Sequence, residues 1–429
     1  MTEDKSEGRI DTLVNNTKSK KGLSIITKAA IFESLHVRDF RWLWLGTFAS
    51  FMAMGMQMMA RSWLVLRLSN DSPLALSLVT IAFSLPMTFM SLIGGALADR
   101  FPKKYVIMSS QAVGALVTLT LATLDLTGLV RFWHLLASGV LNGCMMAINV
   151  PSRHAIIADI VPQNSLMNAI SLNNSGMNLT RVLGPAFAGL LIVYFNTAGV
   201  FYLIAACYIF SMLSVARIRT KKSSGGHVQG GMIQNIFAGL KYAFSDPTLR
   251  GLSLTLIMPV FFGFTIMFLL PAWAREVLDV QSDGLGLLMM FMGMGSLTGS
   301  LGLAALRSFN RRGTWILVNG MLWGVAMALF SKAPSYALAL SCLFFMGLLS
   351  AIFMSLHMTL LQTYSADEMR GRITSIGIMS FGAMPLSVLP FGAIAERIGT
   401  SNTLFLCGLM LLAFALIFTA VNSKFLRIN

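Results

Sequence analysis

From residue 42 onward the chain is a succession of long apolar runs broken by short polar segments. Strands of an outer-membrane barrel would show alternating segments of about ten residues. Here the runs are continuous, and each approaches the roughly 20 apolar residues that carry a helix across a bilayer. The pattern predicts spans near 42–66, 74–98, 105–125, 132–150, 168–194, 197–216, 250–273, 284–306, 314–331, 335–358, 371–395 and 402–421. Residues 1–40 are polar, and no short apolar stretch with a cleavage site precedes the first span, so no signal peptide is expected.

Composition sharpens the picture. Of 429 residues, 55% are hydrophobic and 11% charged, against about 25% charged in soluble domains. A soluble globular protein, a disordered chain and a disulfide scaffold are all excluded. The four cysteines, Cys144, Cys207, Cys342 and Cys407, lie inside apolar runs without CxxC spacing. They read as small reduced hydrophobes, and neither a metal site nor a cofactor is expected.

The formal net charge is +15, from 32 Lys and Arg against 17 Asp and Glu. Its placement decides its meaning. With both termini inside, 25 basic residues fall on cytoplasmic segments, five on the outer side, and two (Arg61 and Arg181) within spans. That asymmetry is the charge bias of cytoplasmic loops, so orientation explains the positive charge and no nucleic-acid partner is needed. The expected location is the cell membrane, multi-pass, with both termini cytoplasmic.

The longest internal polar stretch, 217–249, divides the predicted spans six and six. The expected organisation is therefore a tail (1–40), a first six-helix bundle (41–216) and a linker (217–249) with an amphipathic helix over 232–244. A second six-helix bundle (250–421) and a short tail (422–429) follow. The halves echo each other weakly, in Ser91 to Gly95 of the second span and Ser296 to Ser300 of the eighth. Two matching bundles joined by a linker are the layout of alternating-access carriers.

The most specific motif runs from Gly94 through Gly95, Asp99, Arg100, Phe101 and Pro102 to Lys103 and Lys104. Glycine allows close helix approach, and Asp99 sits where it can cap a helix or pair with a cation between bundles. This loop resembles that of the major facilitator superfamily, with Pro102 where the family usually has Gly. The resemblance extends over the stretches Arg38 to Gly46, Ala60 to Val79, Asn149 to Leu191, Leu269 to Val280 and Arg370 to Leu386. Within the superfamily the chain is most similar to the drug-exporter subfamily that includes macrolide and enterobactin exporters. It implies an all-α membrane fold of twelve helices in two pseudo-symmetric bundles, alternating access, and outward transport coupled to protons. Gly184, Pro185 and Gly189 resemble the antiporter signature, with Thr180 and Ala188 at two of its glycine positions. The arginine that the family carries in its fourth span is absent, its place falling near Val140.

Intramembrane ionisable groups are functional candidates. Arg181 and Arg61 are expected to line a central cavity, with snorkelling or pairing to Asp125 as the alternative for Arg61. Gln57, Asn142, Asn149, Asn173 and Asn178 either join them or fasten helices. An interior with arginine and no carboxylate favours anionic, zwitterionic or neutral solutes over cations. Thirty methionines, clustered at Met52 to Met59 among other places, suit either core filling or an adaptable wall. The candidate proton-coupling groups are Asp99, Asp159, His154 and His357.

No paired carboxylates or nucleophile elbow occurs in the spans, and no phosphate-binding loop GxxxxGK[ST] occurs, so neither an enzyme nor an ATP-driven pump is expected. The reading is a secondary active exporter of small amphipathic molecules, drug-, macrolide- or siderophore-like, working as a monomer with a small-molecule substrate, protons and the lipid bilayer as partners. A lysophospholipid or lipid flippase on the same fold is the alternative.

Overall fold

The structure, a computed structural model, describes residues 33–219, 241–242, 244–305, 311–365, 384–422 and 425–426; the side chains of 92–100 lie outside it. The expected amphipathic helix up to residue 240, residues 371–383 of the expected eleventh span with the loop before it, and most of both tails fall outside the described residues. So do the side chains of Gly95, Asp99 and Arg100, although helix α2 runs through their positions.

The described chain is helical: α1 (Arg38–Ser69), α2 (Pro73–Arg100), α3 (Lys103–Leu126), α4 (Phe132–Ile160) and α5 (Leu166–Ala216) come first. Then follow α6 (Pro247–Thr255), α7 (Thr265–Leu278), α8 (Ser282–Ala305), α9 (Arg312–Ser331), α10 (Tyr336–Thr363), α11 (Pro385–Ile398) and α12 (Thr400–Val421). Among the described residues, nine helical segments are long and apolar enough to cross a membrane. One of them, ending with α5, folds back at Asn196, whose φ of 57° and ψ of 177° break the helix into two arms. The fourth span is longer than the sequence pattern suggests, because α4 continues through Pro151 to Ile160. The seventh is interrupted: α6 and α7 are joined through a π turn at Pro259–Gly263. There Pro259 lacks an N–H, and a Cβ on Gly263 would lie 2.8 Å from the Trp323 ring.

Lipid offers apolar helices little reason to associate, so close packing at small residues has to hold the bundles together. The two halves solve this in the same way. In the first, α4 lies against α2, with Gly143 over the Phe83 carbonyl; in the second, α10 lies against α8, with Gly347 over the Met292 carbonyl. Likewise α3 packs on the second arm of α5, and α9 packs on α12. Gly299, in the predicted internal echo, faces the backbone of Leu348 on α10.

The halves meet along two seams. The first arm of α5 packs on α8, and α2 packs on α11. Both contacts involve the ends away from the chain termini. Ser72 Oγ donates to Glu396 Oε2 at 2.7 Å, and the Leu74 N–H donates to the same oxygen at 3.2 Å. Arg275 lies 3.7 Å from Asp71 and stacks over Trp63 at 5.3 Å. At the terminal end, described polar links join helices of one half. Lys103 Nζ donates to Asp159 at 2.8 Å, Lys104 Nζ donates to the carbonyls of Ala216 and Ile218, and Thr314 donates to the Leu426 carbonyl.

Candidate functional site in the first half

Three helices of the first half carry polar residues at helical spacing. On α1 these are Thr47, Ser50, Gln57 and Arg61; on α3, Ser110, Gln111 and Thr118; on α4, Asn142, Asn149 and Arg153. Positions three, four and seven apart share a helix face, so each set forms a stripe, and the bundle turns the stripes toward one another. Between them lies a small cavity, walled by Ser50, Gln57, Gln111, Asn142, Asn149 and Tyr208 on its polar side. Phe51, Met54, Phe83, Met145 and Met146 form its apolar wall. No acidic residue lines it.

The polar wall is cross-linked. Tyr208 donates its hydroxyl to Gln57 Oε1 at 3.0 Å, and Gln57 Nε2 donates to Thr118 Oγ1 at 3.2 Å. Gln111 Nε2 donates to Ser50 Oγ at 3.1 Å. Asn149 Nδ2 donates to Ser110 Oγ, and Asn149 Oδ1 accepts from Arg153 Nε at 2.8 Å.

Arg153 is the unexpected member. From the sequence Arg153 counts among the cytoplasmic charges, beyond a fourth span expected near 132–150. Proline is tolerated inside membrane helices when neighbours satisfy the freed backbone, and here α4 continues. Arg153 is 2% exposed. Its Nη1 donates to Thr47 Oγ1 and its Nη2 to Ser211 Oγ, each at 2.8 Å. A guanidinium is thus buried among neutral oxygens, tying α1, α4 and the second arm of α5 together. The Asn149/Arg153 spacing of four was the available signal.

The other predicted residues divide clearly. Gln57, Asn142 and Asn149 come together in the cavity wall. Arg61 is half-buried with its Cζ 5.9 Å from the Phe83 ring centre, and its Nε has no hydrogen-bond partner. Asp125, the partner considered for it, instead holds Arg67 and Thr197. Asn173 is buried on α5, its Nδ2 3.4 Å from Met177 Sδ. Asn178 and Arg181 are exposed and are not among the residues lining this cavity. His154 is exposed; His357 is buried, with Nε2 2.6 Å from the Leu252 carbonyl and Nδ1 without a partner.

Gly184 and Gly189 face different neighbours. Gly184 abuts Gly55 of α1 within the first half, and a Cβ there would lie 2.8 Å from the Gly55 Cα. Gly189 abuts Ser282 and Gly286 of α8 in the second half, and the carbonyl of Pro185 also faces Gly286. Among the described residues, no group of three or more His, Cys, Asp or Glu is arranged to hold a metal ion.

Comparison with known proteins agrees with this architecture. The chain is similar to the Staphyloferrin A transporter of Staphylococcus aureus, 22% identical over 364 residues, covering 85% of this chain and 91% of the relative. It is 25% identical over 365 residues to the multidrug efflux pump Tap of Mycolicibacterium fortuitum, covering 81% and 87%. With the enterobactin exporter EntS of Shigella flexneri it shares 26% identity over 291 residues, covering 66% and 67%. Two solved structures share the fold. One is a bacterial homologue of the human lysosomal transporter Spinster in its inward-facing, unoccupied conformation (TM-score 0.69, 16% identity, covering 91% of this chain and 96% of that one). The other is the nucleoside transporter NupG (TM-score 0.70, 13% identity, covering 89% and 98%). The family model described as transmembrane secretion effector matches residues 29–426. With nearly the whole chain matched, the protein belongs to the transmembrane secretion effector family of the major facilitator superfamily and is a multi-span membrane transporter of small molecules.

Proposed function

We propose that this protein is a secondary active exporter that moves small amphipathic molecules out of the cell by alternating access, driven by protons. The observation that carries the reading is the pair of seams, with α5 against α8 and α2 against α11 closed at the ends away from the termini. With the termini cytoplasmic, as the basic residues indicate, this is the state whose far side is shut. Rocking of one half against the other then opens that side. The interior cavity supplies a place for a solute within the first half, and its methionines and phenylalanines supply an adaptable apolar wall.

The relatives support outward transport, since their names specify siderophore transport and drug efflux. They do not favour the lipid flippase. The motif residues Gly95, Asp99, Arg100, Lys103 and Lys104 are assigned to gating. Lys103 and Lys104 hold α3 against the end of α4 and the end of α5. Such bonds let the first half move as a rigid body. For proton coupling the candidate groups are Asp99, Asp159, His154 and His357.

The test is transport into inside-out vesicles with an imposed acid-inside gradient. The reading expects macrolides or siderophores to accumulate and a protonophore to abolish the accumulation. Accumulation indifferent to the gradient overturns proton coupling. Movement of lysophospholipids alone replaces the exporter reading with the flippase.

A further inference from the structure

We propose that the cavity in the first half binds an aromatic organic anion, with the anionic oxygens held by Asn142 and by the field of two arginines. This deepens the exporter reading and rests on it. Three observations lead there.

The first is an unpartnered donor. Asn142 is 9% exposed, lines the cavity, and its Nδ2 has no hydrogen-bond partner. Leaving a buried donor unpaired is costly, so such a group is retained where something else accepts from it. Arg61 Nε is a second buried donor without a partner, on the residue that lies over Phe83 of the cavity wall.

The second is uncompensated charge. Arg153 donates to Asn149, Thr47 and Ser211, all neutral, and Asn149 is itself a wall residue. Arg153 reaches the wall through Asn149, and Arg61 lies over Phe83 of the same wall, which places two positive charges beside one small space. With no acidic wall residue, the field inside is positive, and in a medium of low dielectric constant it acts strongly on a ligand.

The third is shape. Phe51 and Phe83, with three methionines, offer flat and polarizable surfaces facing the polar wall. Aromatic edges and methionine sulfurs pack well against a ring. A ring bearing carboxylate or phenolate oxygens presents its apolar face to one wall and its charge to the other.

The experiment measures equilibrium binding of radiolabelled salicylate to the purified protein in nanodiscs, with protein-free nanodiscs as background. Salicylamide, of nearly the same shape but neutral, and the cation tetraphenylphosphonium serve as competitors. We expect saturable salicylate binding, competition by salicylamide at about 10-fold or more higher concentration, and none by the cation. Asn142→Leu is expected to weaken salicylate binding about 10-fold while leaving the melting temperature unchanged or raised, because it removes an unsatisfied buried group. Asn142→Asp is expected to weaken salicylate binding further and to admit the cation. Competition by tetraphenylphosphonium in the unsubstituted protein, or salicylate binding indifferent to both substitutions, overturns the proposal. Charge-selective binding without proton-driven export retains this site and removes the exporter reading. Proton-driven export with charge-indifferent binding does the reverse.

Discussion

Two glycines of one motif give the sharpest mutational contrast in the molecule. Gly184 faces α1 of its own half, whereas Gly189 faces α8 of the other half. A Cβ on Gly184 would lie 2.8 Å from the Gly55 Cα and 3.0 Å from its carbonyl carbon. A Cβ on Gly189 would collide with the Ser282 carbonyl and lie 2.9 Å from the Gly286 Cα. Both overlaps are with backbone, which cannot rotate away, so each costs about 1–3 kcal/mol by overpacking. Alanine also gains about 1 kcal/mol of helix propensity over glycine. For Gly184→Ala the two terms act together in every conformation, so the effect appears in thermal stability. For Gly189→Ala the propensity gain is common to both conformations and cancels, while the overlap exists only when the seam is closed. The closed state therefore weakens relative to the open one by about 1–3 kcal/mol, a factor of roughly 5–150 in their ratio. The assay is electron–electron resonance between spin labels at Tyr194→Cys on α5 and Gln281→Cys before α8, with the native cysteines replaced by alanine. Gly189→Ala should shift the distance distribution toward longer separations, and Gly184→Ala should leave it unchanged while altering the melting temperature. Equal distributions for the two variants would refute the reasoning.

Three further predictions follow from single contacts. Glu396→Gln replaces a carboxylate that accepts from Ser72 and Leu74 across the halves; charge-assisted bonds are roughly twice as strong as neutral ones, so the far end should open more often, read by faster thiol labelling of Ser77→Cys. Asp125→Asn removes the buried carboxylate that holds Arg67 and Thr197, and loss of charged hydrogen bonds costs about 1.5–3 kcal/mol; the melting temperature should fall while the KM for transport stays unchanged. Asn196→Gly places glycine where the backbone has φ of 57° and ψ of 177°, a region nearly exclusive to glycine that stores about 1–3 kcal/mol of strain, so the melting temperature should rise; a fall would show that the Asn196 side chain is needed at the reversal.

How much of this was legible beforehand differs by level. The all-helical fold was readable, because hydropathy reports directly which segments prefer lipid, and nine of the described helical segments are long and apolar enough to cross a membrane. The fourth span ends later than the hydropathy pattern indicates, because α4 continues through Pro151 to Ile160. The same misplacement hid Arg153, which local sequence could not distinguish from a loop arginine. Its partners Thr47 and Ser211 lie on α1 and α5, and only their packing makes burial of the charge tolerable. Gln57, Asn142 and Asn149 were identifiable as polar residues in apolar surroundings, and the fold brings them together. Asn178 and Arg181 satisfy the same rule and lie on an exposed face of α5, outside this cavity. Polarity within a span marks a residue that needs a partner, but which face meets the interior depends on helix rotation, which periodicity alone does not fix. The inter-half role of Glu396 was equally hidden, since a carboxylate at a helix end is usually solvated.

If the two halves rock about seams that close at the end away from the termini, that end has to open for a solute to leave. This is tested most directly by locking that end. Ser72→Cys and Glu396→Cys, whose native side chains meet at 2.7 Å, can be bridged by a short reducible bis-methanethiosulfonate linker in proteoliposomes. Bridging should abolish substrate transport, and a reducing agent should restore it. Undiminished transport by the bridged protein would contradict it.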